Sequence, residues 1–254
     1  MTVPNSARIW NYWMGGTENF AVDREAGDAF VEKAPGIVRI AKESRRFLIR
    51  VVRYLAAEAG IRQFLDIGSG LPTLENTHEV AQRIAPDSRI VYVDNDPLVL
   101  VHARALLINT TDEGVTAYVD ADVHNPDQIV ADARNVLNFT KPIAVMFMGV
   151  LGHVAGYDEM RSIVSRVMAA VPAGSYLALR DGTNTSETFN AAQQGYDDTG
   201  AVPYILRSPE RIGRCFEGLE MLEPGLVPIT RWRPDPADAE VESVEAYGAV
   251  ARKP

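Results

Sequence analysis

From residue 62 onward, short aliphatic and β-branched runs alternate with longer stretches whose apolar residues recur at helical spacing. A strand covered on both faces reads as an unbroken apolar run, and a helix covered on one side reads as a stripe. The alternation therefore predicts strand-helix units around a parallel, doubly wound sheet. Strands are expected at 63–67, 89–93, 115–119, 143–148 and 175–179, with two more near 219–227 and 244–251. Helices are expected over about 74–85, 97–109, 126–136 and 158–170, and in the last of these Met160, Ile163, Val164 and Val167 share one face. Asp96-Pro97 and Asn125-Pro126 each set a capping side chain before a proline, whose missing N–H costs nothing in a first helical turn.

After Asp181 the rhythm changes to a polar helix near 186–194, a loop through Pro203, and a helix opened by Ser208-Pro209-Glu210 and closed by Gly218. The segment 231–242, rich in proline and acid, reads as an exposed loop. Ahead of the alternation, 6–14 and 23–34 look like short helices split by Gly15-Gly16, and 40–59 like a longer one. With no repeat and no flexible linker, residues 1–60 are expected to form a helical cap on the same domain as 61–254. The expected architecture is an α/β, Rossmann-like, doubly wound sheet of seven strands under that cap.

Composition narrows the partners more than the fold. With 46% hydrophobic and 23% charged residues among 254, a disordered or collagen-like chain is excluded. Lys and Arg total 25 against 34 Asp and Glu, a net charge of −9 that repels a phosphate backbone, so nucleic acid is not expected as a partner. A lone cysteine, Cys215, leaves no intrachain disulfide and no multi-cysteine zinc site, which suits a reducing cytoplasm. The opening residues lack the basic-then-apolar layout of a secretory signal, and the longest apolar run, 143–151, is the length of a buried strand. A cytoplasmic protein without a membrane span is expected. Oligomeric state leaves no trace in the pattern.

The stretch Phe64-Leu65-Asp66-Ile67-Gly68-Ser69-Gly70 is an apolar strand ending in Asp-x-Gly-x-Gly, whose glycines let backbone approach a ligand. By itself it equally describes a plain strand-to-helix turn. The nicotinamide fingerprint wants a third small residue where Thr73 stands behind Pro72, which argues against a pyrophosphate turn. The second strand ends in Asp94, followed by Asn95, at the position that hydrogen-bonds ribose hydroxyls in such sheets. Asp96 is better explained as a helix cap. The third strand ends in Asp120-Ala121-Asp122-Val123, where an acid can accept from an adenine amino group and Val123 can pack on the ring, although a solvated carboxylate fits as well.

Asp66-x-Gly68-x-Gly70, Asp94 and Asp122 together resemble the class I S-adenosylmethionine-dependent methyltransferases. The resemblance covers about residues 60–254 and implies that family's sheet with a late antiparallel strand. It also implies S-adenosylmethionine as cofactor and S-adenosylhomocysteine as product. The turn of Asp66, Gly68, Ser69 and Gly70 would face the methionine portion, Asp94 and Asn95 the ribose, and Asp122 and Val123 the adenine, with Met148 and Gly149 beside the cofactor. With Ser6 to Phe20, Asp23-Arg24-Glu25, Asp94-Asn95-Asp96-Pro97 and Trp232-Arg233-Pro234, the chain is similar to a mostly actinobacterial family of such enzymes whose substrates are uncharacterised.

Trp10, Tyr12 and Trp13 occupy consecutive faces of the first helix, which suits a lid that excludes water and builds an acceptor pocket. Tyr12, Trp13, Gly15, Gly16, Asn19 and Phe20 are the lid or substrate candidates; the tryptophans fit equally well as core that staples the cap down. His153, after strand four, is the candidate general base, or else a histidine that orients structure or substrate. Tyr157 and Asp181 are weaker contacts, and His78, His102 and His124 read as packing or surface residues. No metal is required. The reading is methyl transfer to a small-molecule acceptor, against two alternatives: a non-catalytic S-adenosylmethionine sensor and an NAD(P)-dependent oxidoreductase.

Overall fold

The computed structural model describes residues 3–72, 75–106, 108–238 and 240–254. In chain order the elements are α1 (Ser6–Trp13), α2 (Ala21–Lys33), α3 (Ile37–Ala57), β1 (Gln63–Ile67), α4 (Thr77–Ile84), β2 (Arg89–Asp94), α5 (Pro97–Leu106), β3 (Val115–Asp120), α6 (Pro126–Ala133), β4 (Ala144–Met148), α7 (Tyr157–Ala170), β5 (Tyr176–Gly182), α8 (Glu187–Asp197), α9 (Pro209–Gly213), β6 (Glu220–Met221), β7 (Val227–Pro228) and β8 (Ala246–Arg252). The sheet order is β3-β2-β1-β4-β5-β8-β6, with β7 also on β8. Strands β1 to β5 run parallel and β8 returns antiparallel beside β5.

Side chains alternate across this sheet with the period of two that the pleat imposes. Phe64, Ile90, Tyr92, Met146 and Ala178 face one layer, and Leu65, Val91, Val93, Val145, Phe147 and Leu179 the other. Helix α3 covers the first layer, where Phe47, Val51, Val52 and Leu55 are fully buried, and α7 covers the second through the predicted stripe of Met160, Ile163, Val164 and Val167.

Five expectations change, the first being that Asn125 precedes α6 without a capping hydrogen bond from its side chain. The strand read at 219–227 is two short strands, because the chain turns at Leu222–Gly225, where the Gly225 N–H donates to the Leu222 carbonyl at 2.8 Å and Gly225 sits at φ +87°. The fifth strand runs on to Gly182 because β8 supplies ladder partners out to Ala246. The segment 231–242 is not wholly exposed: Trp232 is buried edge-on to Phe47 at 5.7 Å, and Arg50 donates to the carbonyls of Ile229 and Trp232. The helix after β1 is described from Thr77, where Glu79 accepts from the Asn76 N–H at 2.6 Å, so its expected start at Leu74 lies outside the described residues, as does Thr73. No helix among the described residues is long and apolar enough to cross a membrane.

Candidate functional site

The carboxyl ends of β1 to β5 open into one cavity of about 490 Å³, within the range of small-molecule sites. All ten residues expected at the cofactor line it, namely Asp66, Gly68, Ser69, Gly70, Asp94, Asn95, Asp122, Val123, Met148 and Gly149, and so does His153.

The turn after β1 is held by its neighbour. The N–H groups of Gly68 and Ser69 donate to the Val93 carbonyl, and that of Gly70 donates to Asp94 Oδ2 at 2.8 Å. Both glycines adopt positive φ, +74° and +64°. A Cβ on Gly68 would lie 2.2 Å from Cβ of Val150, whereas one on Gly70 would meet nothing within 4 Å and would project into open space. Asp94 Oδ1 accepts from the Asp96 N–H, so Asp94 has a local structural task that the sequence does not reveal. Asn95 Nδ2 donates to Asp122 Oδ2 at 2.9 Å, joining the ends of β2 and β3. As expected, Asp96 Oδ1 caps α5 through the Leu98 N–H.

Three carboxylates here differ electrostatically. Burial pushes Asp66 up to about 6; its Oδ2 accepts from the Thr77 hydroxyl, while Oδ1 is buried without a partner. Burial likewise raises Asp94, against the pull of the Gly70 and Asp96 N–H groups. Partial burial opposes ionisation of Asp122, but hydrogen bonds from His124 and Asn95 outweigh it and hold the group below the usual range.

Across β4 the cavity has a different character. His153 Nδ1 lies 3.0 Å from the Pro203 carbonyl, which only accepts, so Nδ1 carries the proton and Nε2 the lone pair in the neutral ring. Burial lowers the His153 pKa and favours that neutral form. Its ring stands edge-on to Tyr204 at 5.1 Å, and the Tyr204 hydroxyl donates to Asp181, which lies behind it. Arg180, at the end of β5, packs its guanidinium over the Trp10 ring at 4.9 Å, and Arg45 reaches the cavity near Asp66. The sequence pattern does not single out Arg45, Arg180 or Tyr204. Their only signals were an arginine closing an apolar strand and another on a helix rich in basic residues.

The lid candidates divide. Trp13 lines the cavity within an edge-to-face chain that runs Trp10, Trp13, Phe30, Phe189, with centroids 5.4–5.9 Å apart. Tyr12, Gly15, Gly16, Asn19 and Phe20 stand off the wall. Tyr12 turns outward to Asp28, Asn19 bonds Asn11 and the Gly16 carbonyl, and Phe20 is 44% exposed. Trp10 and Asn11 take their place on the wall. Buried Asp23 organises this cap, accepting from Arg8 and from the N–H groups of Asn5 and Phe20. Asn5 Nδ2 then ties the cap to Asp96 at 2.7 Å.

Tyr157 bonds the Arg211 carbonyl away from the cavity. Among the described residues no group of His, Cys, Asp or Glu could hold a metal ion. Cys215 is buried, with its thiol pushed up to about 12, which rules against a ready thiolate.

A family model described as S-adenosyl methyltransferase matches residues 1–254. A DUF574 family protein from Streptomyces avermitilis has a similar structure, at 42% identity and TM-score 0.94, covering 99% of this chain and 98% of that one. A proposed methyltransferase from Thermobifida fusca is 38% identical with TM-score 0.91, covering 100% and 96%. At 15% identity and TM-score 0.53, an S-adenosylmethionine-dependent methyltransferase from Anabaena variabilis shares the fold over 100% of this chain and 98% of its own. No match is found among curated proteins.

Proposed function

Because this chain belongs to the S-adenosyl methyltransferase family, we propose that it moves a methyl group from S-adenosylmethionine to a small organic acceptor enclosed beneath its N-terminal helices. One observation carries this reading: the ends of β1, β2, β3 and β4 line the same cavity that the aromatic chain from Trp10 to Phe189 covers. The donor set fits the cofactor. Gly70 backs onto open space, Asp66 Oδ1 and Ser69 Oγ are buried without partners, and acids end β2 and the β3 loop. Gly68 and Gly70 would bring backbone to the methionine portion, Asp66 would receive a cationic group, Asp94 the ribose hydroxyls, and Asp122 with Val123 the adenine.

When bound, the cofactor supplies a methyl that is already electrophilic, so the protein's work is alignment and exclusion of water. Trp10 and Trp13 roof the cavity, and the Asn5–Asp96 bond holds the roof to the strand ends. His153, neutral with its Nε2 lone pair available, can take a proton from a hydroxyl or amine acceptor. Residues 1–60 act in this reading as a cap on the same unit. Incubating the protein with cell extract and labelled cofactor, beside an Asp94→Ala control, tests it: labelled small molecules are expected with the wild type only, and tight cofactor binding without labelled product would contradict it.

A further inference from the structure

Arg180 is 7% exposed and lines the cavity, and its guanidinium Nε is buried without a hydrogen-bond partner among the described residues. Its guanidinium rests on the Trp10 ring and against Gly149, where a Cβ would come within 2.7 Å of Cζ; glycine at that position makes room for it. Leaving a buried cation without hydrogen-bonded partners is costly, and burial pulls its pKa down. Asp181 makes no hydrogen bond to it: Oδ1 accepts from Tyr204 and Gly182 and Oδ2 is buried without a partner, so what the neighbouring carboxylate offers is through-space attraction.

Position decides which ligand group would complete it. Arg180 pairs with Met148 across the ladder, one strand beyond β4 and two beyond β1, on the side away from Asp94 and Asp122. At about 5 Å per strand the backbone of β5 lies some 10 Å from the glycine turn, and the guanidinium reaches back from it as far as Gly149 after β4. Arg45, whose charge interacts with Asp66, is the cation nearer that turn. We infer that Arg180 is the anchor for a carboxylate on the methyl acceptor, and that the acceptor is a monoanionic acid with a flat, largely apolar body lying against Trp10. The assignment rests on the methyl-transfer reading above. Asp66, Asp94, Asp96 and Asp122 line the same cavity, where among the described residues the arginines and lysines number only Arg45 and Arg180, so a delocalised single charge fits and a phosphate dianion does not.

The test is calorimetric titration of S-adenosylhomocysteine-loaded protein with 4-hydroxybenzoate and with its methyl ester. The wild type should bind the acid more tightly than the ester by roughly tenfold or more, the worth of a charge-assisted hydrogen bond. Arg180→Gln should bind both alike, Arg180→Lys should recover part of the preference, and affinity for S-adenosylhomocysteine should stay unchanged in both variants. Equal binding of acid and ester by the wild type would overturn the assignment. So would a loss of affinity in Arg180→Gln for S-adenosylhomocysteine but not for 5′-methylthioadenosine, which lacks the amino-acid carboxylate. Failure of the wild type to bind S-adenosylhomocysteine at all would instead remove the methyl-transfer reading itself.

Discussion

Asp94 Oδ2 accepts a hydrogen bond from the backbone N–H of Gly70 at 2.8 Å, so the carboxylate that ends β2 also shapes the glycine turn that follows β1. Two strand ends are thereby coupled through one side chain. In the functional reading the same carboxylate receives ribose hydroxyls, and removing it costs both contacts. Asp94→Ala should weaken S-adenosylhomocysteine binding by about 2 kcal/mol, some thirtyfold, by calorimetry. His153→Ala, on the far side of β4, should leave that affinity nearly untouched. The reverse order would contradict the assignment.

Gly68 and Gly70 separate folding from binding. Gly68→Ala forces a Cβ into Val150 at a positive φ and should lower thermal stability by about 2 kcal/mol or more. Gly70→Ala carries only the cost of positive φ, about 1 kcal/mol, because its Cβ meets open space. That Cβ intrudes where the ligand would lie. Melting curves should therefore single out Gly68→Ala, and ligand titration should single out Gly70→Ala with the larger loss relative to its stability change.

Asp66 sets a pH dependence. Its folded pKa, about 6, exceeds the ordinary 3.8, so the unliganded fold holds the proton more tightly than the unfolded chain does. That contribution to stability is fully present below 3.8 and is lost as pH rises through about 6. A cationic ligand group beside Asp66 favours the ionised form, so S-adenosylhomocysteine should bind more tightly as pH rises from 5 to 7.5, with proton release. Asp94, also raised, works in the same direction. Comparing the heat of binding in buffers of different ionisation enthalpy checks this, and Asp66→Asn should flatten the trend.

Much of this site was legible because its residues sit where strands end. An apolar run followed by an acid or glycine is a local signal, and Asp66, Gly68, Asp94, Asp122 and Met148 all carry it. Arg180 carries it in reverse. On its own the sequence ends the fifth strand at Leu179, because only pairing with the distant β8 shows that the strand continues through Arg180 to Gly182. Five of the six lid candidates lie off the cavity wall for a similar reason, while Trp13 lines it. Helical spacing puts Tyr12 beside Trp13, but only the packing of α2 turns Tyr12 outward to Asp28 while Trp13 meets Phe30. Local composition puts Trp232 in a loop, and its burial comes from distant partners, with Phe47 against its ring and Arg50 of α3 donating to its carbonyl.

Asp23 and Arg8 form a pair with side-chain exposures of 0% and 6% at the heart of the cap. Burial alone would raise the carboxyl, but the bonds from Arg8, Phe20 and Asn5 outweigh it and hold the pKa below 3.8. Asp23→Ala leaves a buried guanidinium unpaired and should destabilise the fold by about 3–5 kcal/mol at pH 7. Because the depressed pKa stabilises the fold only where Asp23 is ionised, the gap between wild type and variant should persist above 3.8 and narrow as pH falls below it. Denaturant melts at pH 7 and pH 3 read it directly.

The central claim is that the ends of three neighbouring strands grip one adenosyl ligand, and calorimetric titration tests it most directly. Wild-type protein titrated with S-adenosylhomocysteine should give a saturable isotherm that Asp94→Ala weakens, and NADH should give none. No heat with S-adenosylmethionine or S-adenosylhomocysteine, together with a clean isotherm for NADH, would contradict the account.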